Sequence, residues 1–325
     1  METGSQLVSN NNDDLRILLP ALVGREGERA ARRFLEFFTV HIRNANTRAA
    51  YTRAAELFLS WCEARGISEL RAIQPMHVAG YIEDLHRERS APTVKQHLAC
   101  LRMLFDWLVT GQVVPSNPAH SVRGPRHSVT KGATPVISSA EARELLDSMD
   151  ETSVVRLRDR ALVAVMTFTF ARVSAVVDLK VEDYYPQKKR WWLRLREKNG
   201  KVHQMPCHHK LEAYLDAYLA AAGIRQDGKG WLFRSAIGRT GKLSSRPVSR
   251  TDVWYMVQRR ANDAQLETAI GCHTFRATGI TDYLTNGGAL EVAQRMAGHS
   301  NAKTTGLYDR RSDDISLSEV EKIGI

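Results

Sequence analysis

A chain of 325 residues with 43% hydrophobic and 25% charged side chains has the composition of an ordinary globular protein, long enough for two domains of ~100–200 residues each. Its 46 Lys and Arg against 36 Asp and Glu leave a formal net charge of +10, which points to a polyanionic partner, nucleic acid first. No apolar run approaches the ~20 residues of a bilayer-spanning helix, and the opening METGSQLVSNNNDD lacks the basic and apolar regions of a signal peptide, so a cytoplasmic protein without membrane contact is expected.

In chain order, residues 1–33 open on a polar Asn and Asp run and read as a loosely ordered N-terminal arm. Helical periodicity then takes over. Tyr51, Ala54, Ala55, Phe58, Trp61 and Cys62 share one face of a helix that ends before Gly66, and Val78, Tyr81, Ile82 and Leu85 make a second stripe after Pro75. A third helix starts near Pro92, turns Val94, Leu98, Leu101, Leu104, Phe105 and Leu108 inward, and stops at Gly111 and Pro115. Residues 34–117 therefore read as a small all-helical domain.

Residues 118–135, with Arg123-Gly124-Pro125-Arg126 and Lys131-Gly132, are basic, rich in helix breakers and without periodicity, which marks a linker. A second domain, 136–325, follows. Ser138 with Glu141 makes a capping box for a helix over Ala140–Met149, and a further helix through Ala161, Leu162, Val165 and Phe168 carries Arg172 near its end. The β-prone run Trp191-Trp192-Leu193-Arg194-Leu195 meets Lys198-Asn199-Gly200-Lys201, a hairpin turn signal, so a small β element sits in a helical domain. Beyond Ser249 helical patterns return, with Gly287-Gly288 as a stop and a short helix over Ala289–Ala297 before Gly298-His299.

The four cysteines, Cys62, Cys100, Cys207 and Cys272, lie too far apart for a CxxC pair or a disulfide framework and are expected reduced. Cys207-His208-His209, with His203 nearby, offers zinc-ligand chemistry. Adjacent residues on one element rarely point at one ion, so neither a metal nor a cofactor is expected.

Chemistry concentrates near the C-terminus, where His273-Thr274-Phe275-Arg276 is followed by Gly298-His299 and, nine residues after that His, by Tyr308. On a helix, i and i+3 share a face, so His273 and Arg276 can present a ring nitrogen and a guanidinium fork to one ligand. An HxxR pair alone is usually a solvated surface pair. In this company the sequence resembles the tyrosine recombinases, also called phage integrases, to which the Xer proteins, Cre and lambda integrase belong. Their C-terminal pattern is HxxR, then Gly-His, then the nucleophilic Tyr nine residues on, and His273, Arg276, His299 and Tyr308 match it without a gap. Arg172 stands where the family places its first catalytic Arg, and Lys198, at the turn of the first hairpin, where it places its catalytic Lys.

The resemblance implies a fold that is mainly α with a small β-sheet, a helical core-binding domain followed by a mixed α+β catalytic domain. It further implies cleavage and rejoining of double-stranded DNA at a specific recombination site through a 3′-phosphotyrosine, without metal or ATP. Arg172 and Arg276 would grip phosphate oxygens, His273 would take the Tyr308 proton, Lys198 would protonate the leaving 5′ oxygen, and His299 would donate to the phosphate. A homotetramer in the synaptic complex, accessory DNA-bending proteins and a mobile-element setting belong to the same implication. So does docking of the apolar tail residues Ile315, Leu317, Val320, Ile323 and Ile325 on a neighbouring protomer.

Two departures stand out. Ala175 occupies a position where many relatives carry an acidic residue, and Phe170-Ala171 replaces a Gly-Leu-like pair. Loss of the carboxylate is expected to loosen the support of a catalytic His. Lys201 is the alternative to Lys198, while Arg295 and Lys303 read as phosphate contacts or plain surface. A type IB topoisomerase shares the chemistry, and a catalytically weakened DNA-binding relative is the non-enzymatic alternative.

Overall fold

The computed structural model describes residues 19–127, 132–197, 200–309 and 321. It divides into two compact units, Met1–Ser128 and Val129–Ile325, and most of both is helical.

The first unit contains α1 (Ala21–Arg25), α2 (Glu28–Glu36) running into a π-helical turn at Phe37–His41, α3 (Ala45–Glu63), α4 (Pro75–Glu88) and α5 (Ala91–Thr110). The stripes legible in the sequence face inward: Phe58, Val78, Leu101 and Phe105 join Phe34, Phe37 and Phe38 in one apolar core. Local signals set the helix ends. The Asn44 side chain accepts from Thr47 N at 3.1 Å to start α3, and Pro75, whose missing N–H costs nothing at a helix start, opens α4.

The expectation of a loose arm over 1–33 fails for its second half. Leu22, Val23 and Ala30 are buried in the core, Leu22 N donates to Glu63 Oε1 at 2.6 Å, and Glu26 Oε1 accepts from Leu70 N at 2.7 Å. Burying those apolar side chains outweighs the weak intrinsic helicity of two short segments split by Gly27. Residues 1–18 of that arm lie outside the described residues.

The segment expected as a linker, 118–135, is tied down at both ends. Arg102 donates to Ala119 O at 3.2 Å and also to Val122 O. At the other end Gly132 N donates to Leu307 O at 3.0 Å, and Ile137 N to Thr278 Oγ1 at 3.2 Å. Residues 128–131 lie outside the described residues.

The second unit is built around α7 (Val154–Thr169), preceded by α6 (Ser139–Asp147). The expected capping box is in place, with Glu141 N donating to Ser138 Oγ at 3.1 Å and Ser138 N to Glu141 Oε2 at 2.7 Å. Because α7 buries Leu157, Ala161, Leu162, Val163, Ala164, Val165 and Met166 on all sides, it is the central helix of the unit. It stops at Thr169 because Phe170 turns left-handed, φ 55° and ψ 21°. Arg172, expected near the end of this helix, instead stands past it as the N-cap residue of α8 (Val173–Val177).

Next comes an antiparallel sheet in the order β1 (Tyr184–Gln187), β2 (Arg190–Arg196), β3 (Val202–Pro206). The hairpin read from the sequence is therefore the second of two, since β1 pairs with β2 before the chain reaches it. After α9 (His209–Ala222), a two-stranded sheet of β4 (Arg234–Ala236) and β5 (Leu243–Pro247) precedes α10 (Arg250–Asp263), α11 (Cys272–Thr285), α12 (Leu290–Met296) and α13 (Ala302–Gly306).

No helix among the described residues is long and apolar enough to cross a membrane. Nor does any group of three or more His, Cys, Asp or Glu among them suit a metal ion. His208 instead stacks on Phe168, ring centroids 4.5 Å apart, and accepts from Lys210 N at 3.2 Å at the start of α9.

Candidate active site

The site is assembled where α11 crosses the end of α7. Gly279 makes the crossing close, since a Cβ there would collide with Thr167 O and the Phe170 ring. On the first turns of α11, His273 and Arg276 lie three residues apart on one face.

Arg276 is 1% exposed. Its Nη1 donates to Phe170 O and its Nη2 to Ala297 O, the latter at 2.5 Å. Those carbonyls belong to the C-cap residues of α7 and α12, where the last turn leaves acceptors without intrahelical partners and the helix dipole favours a cation. Two of its five N–H groups are thereby used, and the buried Nε has no partner. Burial, then the neighbouring Arg172 charge, pushes the Arg276 guanidinium down to about 10. A buried cation with spare donors and no carboxylate of its own is a ready anion site.

Tyr308 follows α13 and is 7% exposed. Thr281 Oγ1 donates to its carbonyl at 2.8 Å, and its N–H donates to Thr305 O at 3.0 Å. These bonds fix the backbone on each side of the ring. The hydroxyl lies 2.7 Å from His273 Nε2, and the ring stacks on His299 with centroids 5.8 Å apart and planes 9° from parallel. The ring packs in a small apolar cluster with Phe170, Ala277, Ile280, Leu284, Ala293 and Ala297.

Gly298, at φ 59°, ends α12 and reverses the chain so that His299 faces the pocket. His299 Nδ1 lies 2.9 Å from Thr305 Oγ1. Its imidazole is pushed down from 6.5 to about 4 by burial, then by Arg276, Arg172 and His273. His273 is lowered as well, by partial burial of its ring and then by Arg276 and Arg172. Both rings are thus neutral at neutral pH, and His273 is able to accept a proton.

Arg172 reaches the pocket from the start of α8, with its Nη1 2.6 Å from Glu197 Oε2. Five of the six residues singled out in the sequence, Arg172, His273, Arg276, His299 and Tyr308, therefore converge. The sixth, Lys198, lies outside the described residues. It stands between Glu197 and Lys201, whose backbones are joined by Glu197 N donating to Lys201 O at 2.7 Å. Lys201 is exposed, as are Arg295 and Lys303.

Ala175 is buried, and a carboxylate that pairs with Arg172 comes instead from Glu197. Sequence reading missed it. The signal was there: Leu193 and Leu195 are the buried positions of β2, and alternation places residue 197 on that same inward face. Thr305 was missed too, and only the fold shows its bond to His299.

Comparison with known proteins gives the family. The profile of the Phage integrase family matches residues 135–314, and that of the phage integrase N-terminal SAM-like domain matches residues 31–112. Tyrosine recombinase XerD of Corynebacterium glutamicum is 29% identical over 288 residues, 85% of this chain and 91% of its own. XerD of Chlorobaculum tepidum is 27% identical over 297 residues, 89% and 93% of the two chains. Among solved structures, XerH bound to a palindromic difH substrate after cleavage gives a TM-score of 0.66 at 17% identity, covering 89% of this chain and 91% of that one. A lambda integrase tetramer bound to a Holliday junction gives 0.64 at 16% identity, covering 88% and 79%. The chain belongs to the phage integrase family and is a tyrosine recombinase.

Proposed function

We propose that the chain is a site-specific DNA recombinase that cleaves and rejoins strands through a 3′-phosphotyrosine on Tyr308, without metal or ATP. The observation that carries this reading is the Tyr308 hydroxyl, 2.7 Å from His273 Nε2, in a pocket that holds Arg172 and the under-partnered, buried Arg276.

The chemistry follows from the groups. Tyr308 Oη attacks the scissile phosphorus while its proton passes to the neutral His273 ring, since a phenol must lose its proton as it forms the ester. Arg172 and the spare donors of Arg276 hold the non-bridging oxygens, and His299 adds a hydrogen bond from Nε2 when Thr305 donates to its Nδ1. The bond from phosphorus to the 5′ oxygen breaks, and Lys198 supplies the proton for that oxygen. One phosphodiester is exchanged for another, so attack by the 5′ hydroxyl of a second strand reverses the step with no energy source. We assign DNA clamping to residues 34–117 and chemistry to residues 136–325.

DNA as the partner is supported by the net charge of +10 and by relatives whose structures hold difH or core-site DNA. Assembly as a tetramer rests on the lambda integrase tetramer, and the C-terminal tail that we assign to protomer exchange, 314–325, lies outside the described residues except Glu321. The match of residues 31–112 to the integrase N-terminal domain favours recombination over topoisomerase-like relaxation.

The test is to incubate the full chain with genomic fragments from its source, in EDTA, and to recover SDS-stable protein–DNA adducts. Adducts at one recurring sequence, attached to a 3′ phosphate, are expected. Random attachment or dependence on a divalent metal contradicts the reading. On the mapped site, Lys198→Ala should slow cleavage by ~10²–10⁴-fold, and a 5′-bridging sulfur, a far better leaving group, should restore most of the rate. Failure of that rescue reassigns the acid, with Lys201 next.

A further inference from the structure

Glu197 is the feature of the pocket that the reaction does not use. Its side chain is 8% exposed against 35% for Arg172, so the carboxylate lies deeper than the guanidinium it binds. Its Cγ would be 3.8 Å from a Cβ on Gly298, which puts it at the turn that ends α12, and its charge acts on Arg276 as well. A carboxylate and a phosphate present the same paired oxygens to a guanidinium. A fixed negative charge here also opposes the phosphate that the site must take. On chemistry alone, Glu197 and a phosphate compete for Arg172.

A second observation says where the carboxylate can go. His203 lies on β3 opposite Leu195, and its Nε2 is buried without a partner. Burial holds its imidazole below the usual value, with Glu197 acting in the opposite direction, so the two groups feel each other. An orphaned ring nitrogen beside a paired carboxylate is an unused alternative partner.

We propose that Glu197 is a placeholder for the scissile phosphate, binding Arg172 while the site is empty and passing to His203 when a phosphate takes the guanidinium. Entry of the phosphate is then an ion exchange. Arg172 is kept ordered between turnovers, and a phosphate that Arg276 and His299 do not also engage fails to displace the carboxylate, which suppresses engagement of the wrong phosphates. Glu197 is a positioning residue in this scheme, since it acts through Arg172.

The inference rests on the reading of the pocket as a phosphodiester-cleaving site, so its test uses inorganic phosphate, which needs neither a recombination site nor chemistry. Phosphate is titrated into the full chain and its variants, followed by ³¹P line width and thermal shift. Glu197→Gln should bind phosphate roughly tenfold more tightly, because a charge-assisted competitor is removed. That gain should vanish when Arg172→Ala is added, whereas a general effect of net charge would persist. His203→Phe should weaken phosphate binding severalfold by removing the alternative partner. A Glu197→Gln affinity within about twofold of the parent, or a gain that survives in the double variant, overturns the proposal. An unchanged affinity in His203→Phe overturns the transfer to His203. No phosphate binding in any variant also overturns it, while covalent adducts on DNA decide the function separately.

Discussion

Arg158 on α7 and Arg260 on α10 close on Asp159, whereas Arg172 and Arg276 share their pocket with Glu197, and the contrast separates a structural charge cluster from the candidate active site. Asp159 is fully buried and accepts from Arg158 at 2.6 and 3.0 Å and from Arg260 at 2.7 and 3.1 Å. Asp263 adds a second carboxylate, 3.0 Å from Arg260. Burial works against the Arg260 charge, but Asp159 and Asp263 together more than offset it and the guanidinium is held above its usual value. In the other cluster Arg276 donates to two carbonyls and interacts with the Tyr308 hydroxyl, but its Nε is vacant and its pKa is lowered. Two guanidiniums against two carboxylates make a closed network. Among the described residues, two against one, with neutral histidines around them, make a place for an anion.

The sharpest way to break that comparison is to neutralise each carboxylate in turn. Asp159→Asn leaves two buried guanidiniums short of a counter-charge and should cost ~3–5 kcal/mol of unfolding free energy. Glu197→Gln, whose partner is about a third exposed, should cost under ~1 kcal/mol. Chemical denaturation of both variants checks this, and equal losses would erase the distinction.

His299 sharpens it through pH. Its folded value of about 4 lies below the unfolded 6.5, so the unfolded chain takes up the proton first and stability is lost as pH falls. The contribution is fully present above pH 6.5, drains away between there and about 4, and is on the order of 3 kcal/mol. Unfolding measured at pH 7, 5.5 and 4.5 should therefore show a shallower acid loss in His299→Gln than in the parent. Parallel curves would mean that the ring is not held neutral.

A smaller effect is expected at Phe170, which holds a left-handed backbone at a cost of ~1–2 kcal/mol yet packs its ring in the cluster around Tyr308. Phe170→Gly relieves the backbone but leaves a cavity, for which large-to-small changes cost ~3–5 kcal/mol. A net loss of about 2 kcal/mol is expected by denaturant titration. A stabilised variant would show that the ring contributes nothing there.

What the sequence disclosed follows the same division. The residues we assign to phosphate contact are restricted in type and spacing, so His273, Arg276, His299 and Tyr308 were legible as a group, and long amphipathic helices such as α3 and α5 were legible from periodicity. Features set by tertiary contact were not. The carbonyls that hold Arg276 exist only because α7 and α12 end beside α11. The stop at Phe170 requires a conformation for which its residue type has no preference, and that displaced Arg172 from its expected helix. Strands β1, β4 and β5 are too short, and too polar or Pro-interrupted, to show an alternation. Glu197 lies between these cases, legible from strand parity but masked by the Lys that follows it.

The central claim is that Tyr308 is the nucleophile of the under-compensated cluster, and one substitution tests it most directly. Tyr308→Phe removes a single oxygen, the one 2.7 Å from His273 Nε2, and leaves the ring to stack on His299. On a nicked suicide substrate built from the mapped site, this variant should bind DNA as the parent does and yield no SDS-stable adduct. An adduct that persists in Tyr308→Phe would contradict the account.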